Sequence, residues 1–225
     1  MADAPDGGNG PGEGLREKLI VAKEKWARER RLITGATDEW QSNRLPPGQQ
    51  EVRNWPVLDL GIQPDLRPED WKLTVDGLVA NPTTLDHGQF MALPQSDSVS
   101  DIHCVTQWSR YDNYWQGVAS QVLIDLVRPK DEARHVVFHA HDGYTTNVSL
   151  EVFSGADVML AHSWEGVPLT RSHGGPVRVV IPRFYFWKSA KWVRRIEFSR
   201  DDKPGFWEVR GYHNIGDPWK EERYD

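Results

Sequence analysis

Cys104, the one cysteine of this 225-residue chain, is the residue with the clearest chemical potential. It lies in the segment Ile102-His103-Cys104-Val105-Thr106-Gln107-Trp108-Ser109, which the pattern predicts to be the end of a strand and the loop that follows. Because adjacent residues of a strand face opposite sides of a sheet, His103 is poorly placed to be a base for the thiol. We expect Cys104 to be either a small buried side chain, as most lone cysteines are, or a single soft metal ligand.

A second candidate site combines a Gly-Gly pair with cationic side chains. Its two segments are Arg171-Ser172-His173-Gly174-Gly175-Pro176-Val177-Arg178 and Lys188-Ser189-Ala190-Lys191-Trp192. Glycines let backbone amides approach a ligand closely, and Arg and Lys offer charge-assisted hydrogen bonds to a phosphate. The same pattern is typical of a hairpin turn flanked by solvated charges, so spacing alone leaves both interpretations open.

The pair His139 and His141 is a third candidate. A His-x-His spacing on a strand puts both rings on one face, as in many zinc sites. A further ligand would have to come from His162, His173 or a carboxylate, so the pair by itself is a weak signal.

Short strands with interleaved short helices must position these residues. Thr84-Leu85-Asp86 predicts the cap of a short helix, and residues 99–106 predict a strand that delivers Cys104 at its end. No regular alternation of strand and helix is present. The predicted fold class is therefore α+β, with mixed β-structure dominating, rather than a doubly wound sheet.

The composition divides the chain into a tail, a helical segment and one domain. Residues 1–14 are mostly small or polar and predict a disordered tail. Residues 15–48 predict a helix and a linker, because a stripe of side chains recurs at helical spacing over residues 15–33. The stripe consists of Leu15, Leu19, Ala22, Trp26 and Arg30. Residues 49–225 are long enough to bury one substantial core.

Charge and hydropathy argue against several classes of protein. The chain has 27 basic and 33 acidic residues and a net charge of -6, which argues against nucleic-acid binding by bulk electrostatics. No stretch approaches the roughly 20 apolar residues of a membrane span. The N-terminus lacks the basic and apolar regions of an export signal, so we expect a cytoplasmic location. A single cysteine also excludes an internal disulfide and any site with two cysteine ligands.

Three segments, in their order and spacing, resemble the molybdopterin-dependent oxidoreductases of the sulfite oxidase fold. They are His103-Cys104-Val105 with Trp108-Ser109, then residues 173–182, then residues 188–193. The resemblance covers about residues 50 to 200, and the C-terminal run of residues 205–219 looks like that of small stand-alone bacterial and archaeal members.

The resemblance implies one molybdenum held by the dithiolene of a single molybdopterin and by the thiolate of Cys104, so that one cysteine suffices. The cofactor would carry out a two-electron oxygen-atom transfer. By the same resemblance, a set of further residues contacts the cofactor. These residues are Asn54, Trp55, His139, Ala140, His173, Arg178, Ser189, Ala190 and Lys191.

The loop after Cys104 departs from sulfite oxidases proper, in which an arginine-rich stretch soon follows the ligand cysteine. Here Gln107 and Trp108 come before Arg110, and we expect these three residues and Cys104 to form the catalytic site. Such a loop suits a small neutral molecule better than a dianion, because burying a dianion without cations is costly. The sequence thus favours an S-oxide or N-oxide reductase over a sulfite oxidase, with a separate electron-transfer protein as partner.

Two other functions stay open at this point. One is a non-catalytic module that binds or carries molybdopterin. The other is a cysteine hydrolase, in which Cys104 is the nucleophile and His173 is its base.

Overall fold

The computed structural model describes residues 11–28 and 44–225, and in these ranges it confirms the predicted α+β class. One sheet is formed by β1 Gln50–Glu51, β4 Ser96–His103, β5 Trp108–Ala119, β8 Met159–Trp164, β9 Val167–Pro168 and β10 Arg178–Val180. Its strand order is β1-β5-β8-β10, with β4 paired to β5 and β9 paired to β8. The β1–β5 pair is parallel, and the other pairs of this sheet are antiparallel.

The second sheet is formed by β2 Lys72–Gly77, β3 Thr83–Asp86, β6 His135–Ala140, β7 Thr145–Ser149 and β11 Val193–Ser199. Its order is β3-β2-β11-β6-β7, with a parallel β2–β11 pair and antiparallel pairs elsewhere. The parallel pair joins segments more than a hundred residues apart, so this sheet forms only when the whole domain folds.

The first sheet separates two buried clusters, because successive side chains of a strand point to opposite faces. In β10, Val179 belongs to the cluster between the two sheets, whereas Val180 belongs to a second cluster that is rich in aromatic rings. Leu160 and Ala161 of β8 divide in the same way. Cys104 belongs to the aromatic cluster, so the candidate site lies on the side of the first sheet that faces away from the second.

Short helices connect the strands: α2 His87–Met91, α3 Ser120–Val127 and α4 Leu150–Phe153. The predicted cap of α2 is confirmed. The Asp86 side chain accepts from the Gln89 amide at 2.8 Å, and the Gln89 side chain accepts from the Asp86 amide at 2.9 Å. This reciprocal pair is a capping box, which satisfies two backbone donors at the start of the helix.

The N-terminal helix α1, Pro11–Arg28, begins four residues earlier than predicted, within the segment expected to be a tail. Residues 1–10 and 29–43, which include the predicted end of this helix and most of the linker, lie outside the described residues. The helix packs on the domain through Ile20 and Arg16. Ile20 is buried although it is not part of the predicted stripe, and the Arg16 guanidinium lies 5.4 Å from the centre of the Phe206 ring. None of the described helices combines the length and apolar composition needed to cross a bilayer.

Candidate functional site

Cys104 is the first residue of the turn between β4 and β5, so the prediction that a strand delivers it is confirmed. Its amide donates to the Trp108 carbonyl at 2.9 Å, and its own carbonyl accepts from the Gln107 amide at 2.9 Å, which closes the turn. The Gln49 side chain donates to the same carbonyl at 3.1 Å. The Thr106 hydroxyl lies 3.1 Å from Cys104 Sγ. The sulfur is therefore held in a rigid turn with a hydroxyl beside it.

His103 and Cys104 make separate contacts, as expected for neighbours at the end of a strand. His103 Nδ1 lies 2.8 Å from the Ser109 hydroxyl, in hydrogen-bond contact, and its ring packs edge-on against Trp219. Burial lowers the pKa of His103 to about 4, so its ring is neutral at pH 7. Its Nδ1 hydrogen bonds to Ser109 rather than to the Cys104 sulfur.

Cys104 lines a cavity of about 900 Å³, counting the open space at its mouth. The wall is rich in aromatic rings. The aromatic residues of the wall are Trp55, Trp108, Tyr144, Phe186, Trp187, Trp192, Trp207 and Tyr212. A concave wall of this composition suits a heterocyclic ligand, since ligand sites are concave and mostly apolar with a few placed polar groups.

Arg178 supplies one positive charge to the wall. Its guanidinium donates from Nη1 to the His173 carbonyl at 2.8 Å and from Nη2 to the Ser189 carbonyl at 2.9 Å. Its Cζ also lies 4.2 Å from the centre of the Phe186 ring. Burial lowers the pKa of Arg178 to about 9, which leaves it protonated at neutral pH.

Lys191 supplies the second positive charge. Its ammonium donates to the Leu58 carbonyl at 2.8 Å and to the Ser172 carbonyl at 2.6 Å. It thereby ties the segment before β2 to the loop before β10. Two of the four cations of the predicted Gly-rich site thus line one cavity, and each is already bonded to main-chain carbonyls.

Gly174 and Gly175 serve close packing rather than the presentation of amides to a ligand. Their amides donate to the carbonyls of Arg171 and Thr170 at 3.1 and 3.0 Å. A Cβ on Gly175 would lie 2.2 Å from the Leu169 carbonyl oxygen, and Gly174 has a φ of +103° beside Lys191. Of the two interpretations that spacing left open, these contacts favour the packed turn, because protein acceptors already occupy both amides.

His173 stacks on Trp55, with ring centres 3.9 Å apart. Its Nε2 donates to the Trp55 carbonyl at 3.2 Å, and its Nδ1 accepts from the Thr170 hydroxyl at 3.0 Å. Burial, aided by Arg178 and Lys191, lowers its pKa to about 4. With both ring nitrogens engaged in these contacts, the ring is not oriented as a base for Cys104, which removes the support for a cysteine hydrolase.

Two carboxyl groups also line the cavity. Asp59 accepts from the Gly61 amide at 2.8 Å and from the Gln63 side chain at 2.6 Å. Asp142 accepts from the Tyr144 amide at 3.0 Å, and burial raises its pKa. The polar part of the wall therefore contains acidic as well as basic groups.

The structure brings eight of the thirteen predicted site residues to this cavity. They are Trp55, Cys104, Trp108, His173, Arg178, Ser189, Ala190 and Lys191. Ser189 is held by its hydroxyl, which accepts from the Ile181 amide at 2.9 Å, and the Ala190 carbonyl accepts from the Val179 amide at 2.9 Å. The cationic loop is therefore anchored to β10 and to the residue after it.

His139 and Ala140 do not line the cavity. His139 lies on β6 in the second sheet, and its Nε2 is 3.0 Å from Glu197 Oε2 in a half-buried network with Arg195. Ala140 is buried, and its carbonyl accepts from Arg194 Nε at 3.1 Å. The strand ends at Ala140, so the acidic side chain that does reach the cavity comes two residues later in the chain.

Asn54, Gln107 and Arg110 also lie outside the cavity wall. Asn54 is exposed, although the next residue lines the wall. Gln107 has a φ of +71°, and its backbone carbonyl accepts from the Gln50 amide of β1 at 2.9 Å. The Arg110 guanidinium lies over the Trp164 ring at 4.6 Å and pairs with Glu165 at 3.3 Å. These contacts direct the arginine away from Cys104.

Several cavity residues were not predicted. They are Asp142, Tyr144, Trp187, Trp207 and Tyr212, together with Thr106. Trp187 and Tyr144 are linked, because the Tyr144 hydroxyl donates to the Trp187 carbonyl at 2.6 Å. The signal that could have found Trp207 and Tyr212 is the density of aromatic residues in the run of residues 205–212.

The cavity fits the cofactor that the resemblance implies. A soft sulfur donor, Cys104, suits a redox-active metal. Arg178 and Lys191 match an anionic phosphate, and stacked aromatic rings match a pterin. The Trp108 indole nitrogen is buried and has no hydrogen-bond partner within the described residues, which leaves a donor for a bound group.

Comparisons with known proteins agree with this geometry. Residues 60–207 match the model of the oxidoreductase molybdopterin binding domain. The oxidoreductase YuiH of Bacillus subtilis is 46% identical over 82% of this chain and 93% of its own length. The protein-methionine-sulfoxide reductase catalytic subunit MsrP of Ralstonia nicotianae is 29% identical over 67% of this chain, which spans half of the length of MsrP.

A solved structure shares the fold. The sulfane dehydrogenase SoxCD of Paracoccus pantotrophus superposes with a TM-score of 0.57 at 22% identity, over 62% of this chain and 40% of that one. The family resemblance seen in the sequence is thereby confirmed. The chain belongs to the oxidoreductase molybdopterin-binding domain family, whose cofactor is molybdenum bound to molybdopterin.

Proposed function

We propose that the protein is a reductase that removes the oxygen atom from a small, neutral S-oxide or N-oxide. One observation carries the proposal. Among the described residues, the cations of the cavity wall are Arg178 and Lys191, and both are bonded to main-chain carbonyls of the loops that form the wall. If these two cations also face the cofactor phosphate, no arginine or lysine of the described wall is left to bind an anionic substrate.

Electrostatics then favour a neutral substrate over sulfite. Burying a dianion without cationic partners costs several kcal/mol. The carboxyl groups of Asp59 and Asp142 lie on the same wall and disfavour a bound anion further. The other arginines near the site are engaged elsewhere. Arg171 pairs with Asp65 and Arg183 with Asp157, both outside the cavity wall.

The cofactor would be held by residues already in place. Cys104 would supply the protein thiolate to the metal, Arg178 and Lys191 would face the phosphate, and Asp142 would accept from a pterin N–H group. When bound, molybdenum–molybdopterin supplies the two-electron oxygen-atom transfer itself. The balanced reaction is R₂SO + 2 H⁺ + 2 e⁻ → R₂S + H₂O, with the corresponding equation for an N-oxide.

The aromatic wall would shape the substrate end of the cavity. Burial raises the pKa of Tyr212, so its hydroxyl stays protonated at neutral pH. The same hydroxyl hydrogen-bonds to Tyr224, and we infer that Trp108 and Trp207 exclude water around the oxygen atom of the substrate. The relative MsrP is named for the reduction of methionine sulfoxide in proteins, which supports an S-oxide as substrate. Electrons would come from a separate electron-transfer protein, and a cytoplasmic location stays a prediction from the sequence.

Steady-state assays on molybdenum-loaded protein test the proposal. With reduced methyl viologen as donor, we expect turnover of dimethyl sulfoxide, methionine sulfoxide or trimethylamine N-oxide, and negligible oxidation of sulfite with ferricyanide. The Cys104→Ser variant is the control and should be inactive toward all of them. Efficient sulfite oxidation would contradict the proposal. Full molybdenum content without turnover of any substrate would instead support a non-catalytic carrier module.

A further inference from the structure

We propose that Thr106 is a positioning residue for the metal: its hydroxyl donates a hydrogen bond to the Cys104 sulfur and thereby raises the reduction potential of the molybdenum. This inference rests on the proposed ligation of molybdenum by Cys104. It assigns to Thr106 a role that acts through the sulfur rather than on the substrate.

The contact is built into the turn between β4 and β5. Thr106 Oγ1 lies 3.1 Å from Cys104 Sγ, and both residues are buried and line the cavity. The turn is closed by the hydrogen bond from the Gln107 amide to the Cys104 carbonyl, and Gln49 holds the same carbonyl from the side of β1. The backbone thus fixes the relative position of the two residues, and the β-branched side chain of Thr106 has few χ1 rotamers to choose from.

The chemistry makes Thr106 the donor. A metal-bound thiolate carries no proton, so the hydrogen bond must run from the hydroxyl to the sulfur. Within the described residues, the Thr106 hydroxyl has no second protein partner, so this donor is available to the sulfur alone.

The direction of the effect follows from the charge on the sulfur. A hydrogen bond draws electron density from the thiolate, and a poorer sulfur donor stabilises the oxidised metal less. The reduced metal is then favoured and the reduction potential rises. Hydrogen bonds around cysteine sulfur tune the potentials of blue-copper and iron–sulfur sites in this manner.

Two variants separate the hydroxyl from the shape of the side chain. Thr106→Val keeps the branched shape and removes the donor, whereas Thr106→Ser keeps the donor. Redox titration of the molybdenum-loaded full chain, followed by the Mo(V) electron paramagnetic resonance signal, measures the potentials. We expect lower potentials and altered g-values for Thr106→Val, and values close to wild type for Thr106→Ser. Thr84→Val, which removes a hydroxyl contact with Thr74 in the other sheet, should leave both readouts unchanged.

The outcomes distinguish this inference from the proposed ligation. The role of Thr106 would be contradicted by unchanged potentials in Thr106→Val, or by an equal shift in Thr106→Ser. In either case the ligation itself would stand if X-ray absorption still showed the Cys104 sulfur on molybdenum. If X-ray absorption of the wild-type protein showed only the dithiolene sulfurs around molybdenum, the proposed ligation by Cys104 would itself be contradicted. If Thr106→Val loses metal or unfolds at a lower temperature, Thr106→Ala removes the same hydroxyl without added bulk and should show the same fall in potential.

Discussion

The guanidinium of Arg178 donates from Nη1 to the carbonyl oxygen of His173, 2.8 Å away. From Nη2 it also donates to the Ser189 carbonyl, so one side chain joins the two cationic segments that lie apart in the sequence. The arginine therefore shapes the cavity wall as well as charging it.

Replacing Arg178 should release the cofactor. Arg178→Ala removes a buried fork of charge-assisted hydrogen bonds, each worth about 1.5 to 3 kcal/mol, and leaves two carbonyls without donors. We expect the molybdenum content per protein, measured by mass spectrometry of the metal after dialysis, to fall well below that of wild type. Arg178→Lys keeps the charge but not the fork and should retain an intermediate amount. A full complement of metal in Arg178→Ala would mean that the residue does not hold the cofactor.

The buried pair of Lys188 and Glu208 should dominate stability near the site. Lys188 Nζ lies 2.6 Å from Glu208 Oε1 with both side chains almost fully buried, and the same oxygen accepts from the Trp187 indole at 3.0 Å. Glu208→Leu leaves the buried ammonium with the two Asn147 oxygens as acceptors but without a carboxylate to balance its charge. The change should cost about 3 to 5 kcal/mol in the free energy of unfolding, measured with urea on the apoprotein. The double variant Lys188→Met, Glu208→Leu should recover most of this loss.

A surface pair provides the control. Arg67 Nε and Asp70 Oδ2 are 2.7 Å apart but exposed, so Asp70→Asn should change the free energy of unfolding far less than Glu208→Leu does. Equal losses in Glu208→Leu and Asp70→Asn would show that burial does not set the cost of breaking these pairs.

His173 should make the apoprotein less stable in mild acid. Burial is the main cause of its pKa of about 4, against an ordinary value of 6.5. Between these values the unfolded chain binds more protons than the folded one, so stability is present above about pH 6.5 and is lost as the pH falls toward 4. The thermal midpoint of wild type should fall between pH 7 and pH 5, and that of His173→Gln should fall less. Parallel slopes for the two proteins would remove His173 as a cause.

Local patterns allowed part of the site to be predicted. The strand before Cys104 and the cap at Asp86 are both encoded in a few neighbouring residues, and the structure has them where the pattern indicates. Spacing left the role of the Gly-Gly pair open for a physical reason. Whether a glycine faces a ligand or a packed backbone depends on Leu169 and Lys191, which lie elsewhere in the chain.

Long-range packing accounts for the rest. Asp142 reaches the cavity because the chain continues past the end of β6, and Tyr212 because the C-terminal segment folds back over the aromatic cluster. Neither arrangement leaves a periodic signal. Arg110 follows Cys104 closely in sequence, yet its pairing with Glu165 and Trp164 directs it elsewhere, and spacing along the chain does not contain that information.

X-ray absorption at the molybdenum edge tests the central claim, the ligation of the metal by Cys104, most directly. The measurement compares metal-loaded wild type with Cys104→Ser, which replaces the soft thiolate by a harder oxygen of similar size and should leave the fold intact. We predict one fewer sulfur neighbour around molybdenum in Cys104→Ser, together with loss of activity. An unchanged sulfur count in the variant would contradict the account.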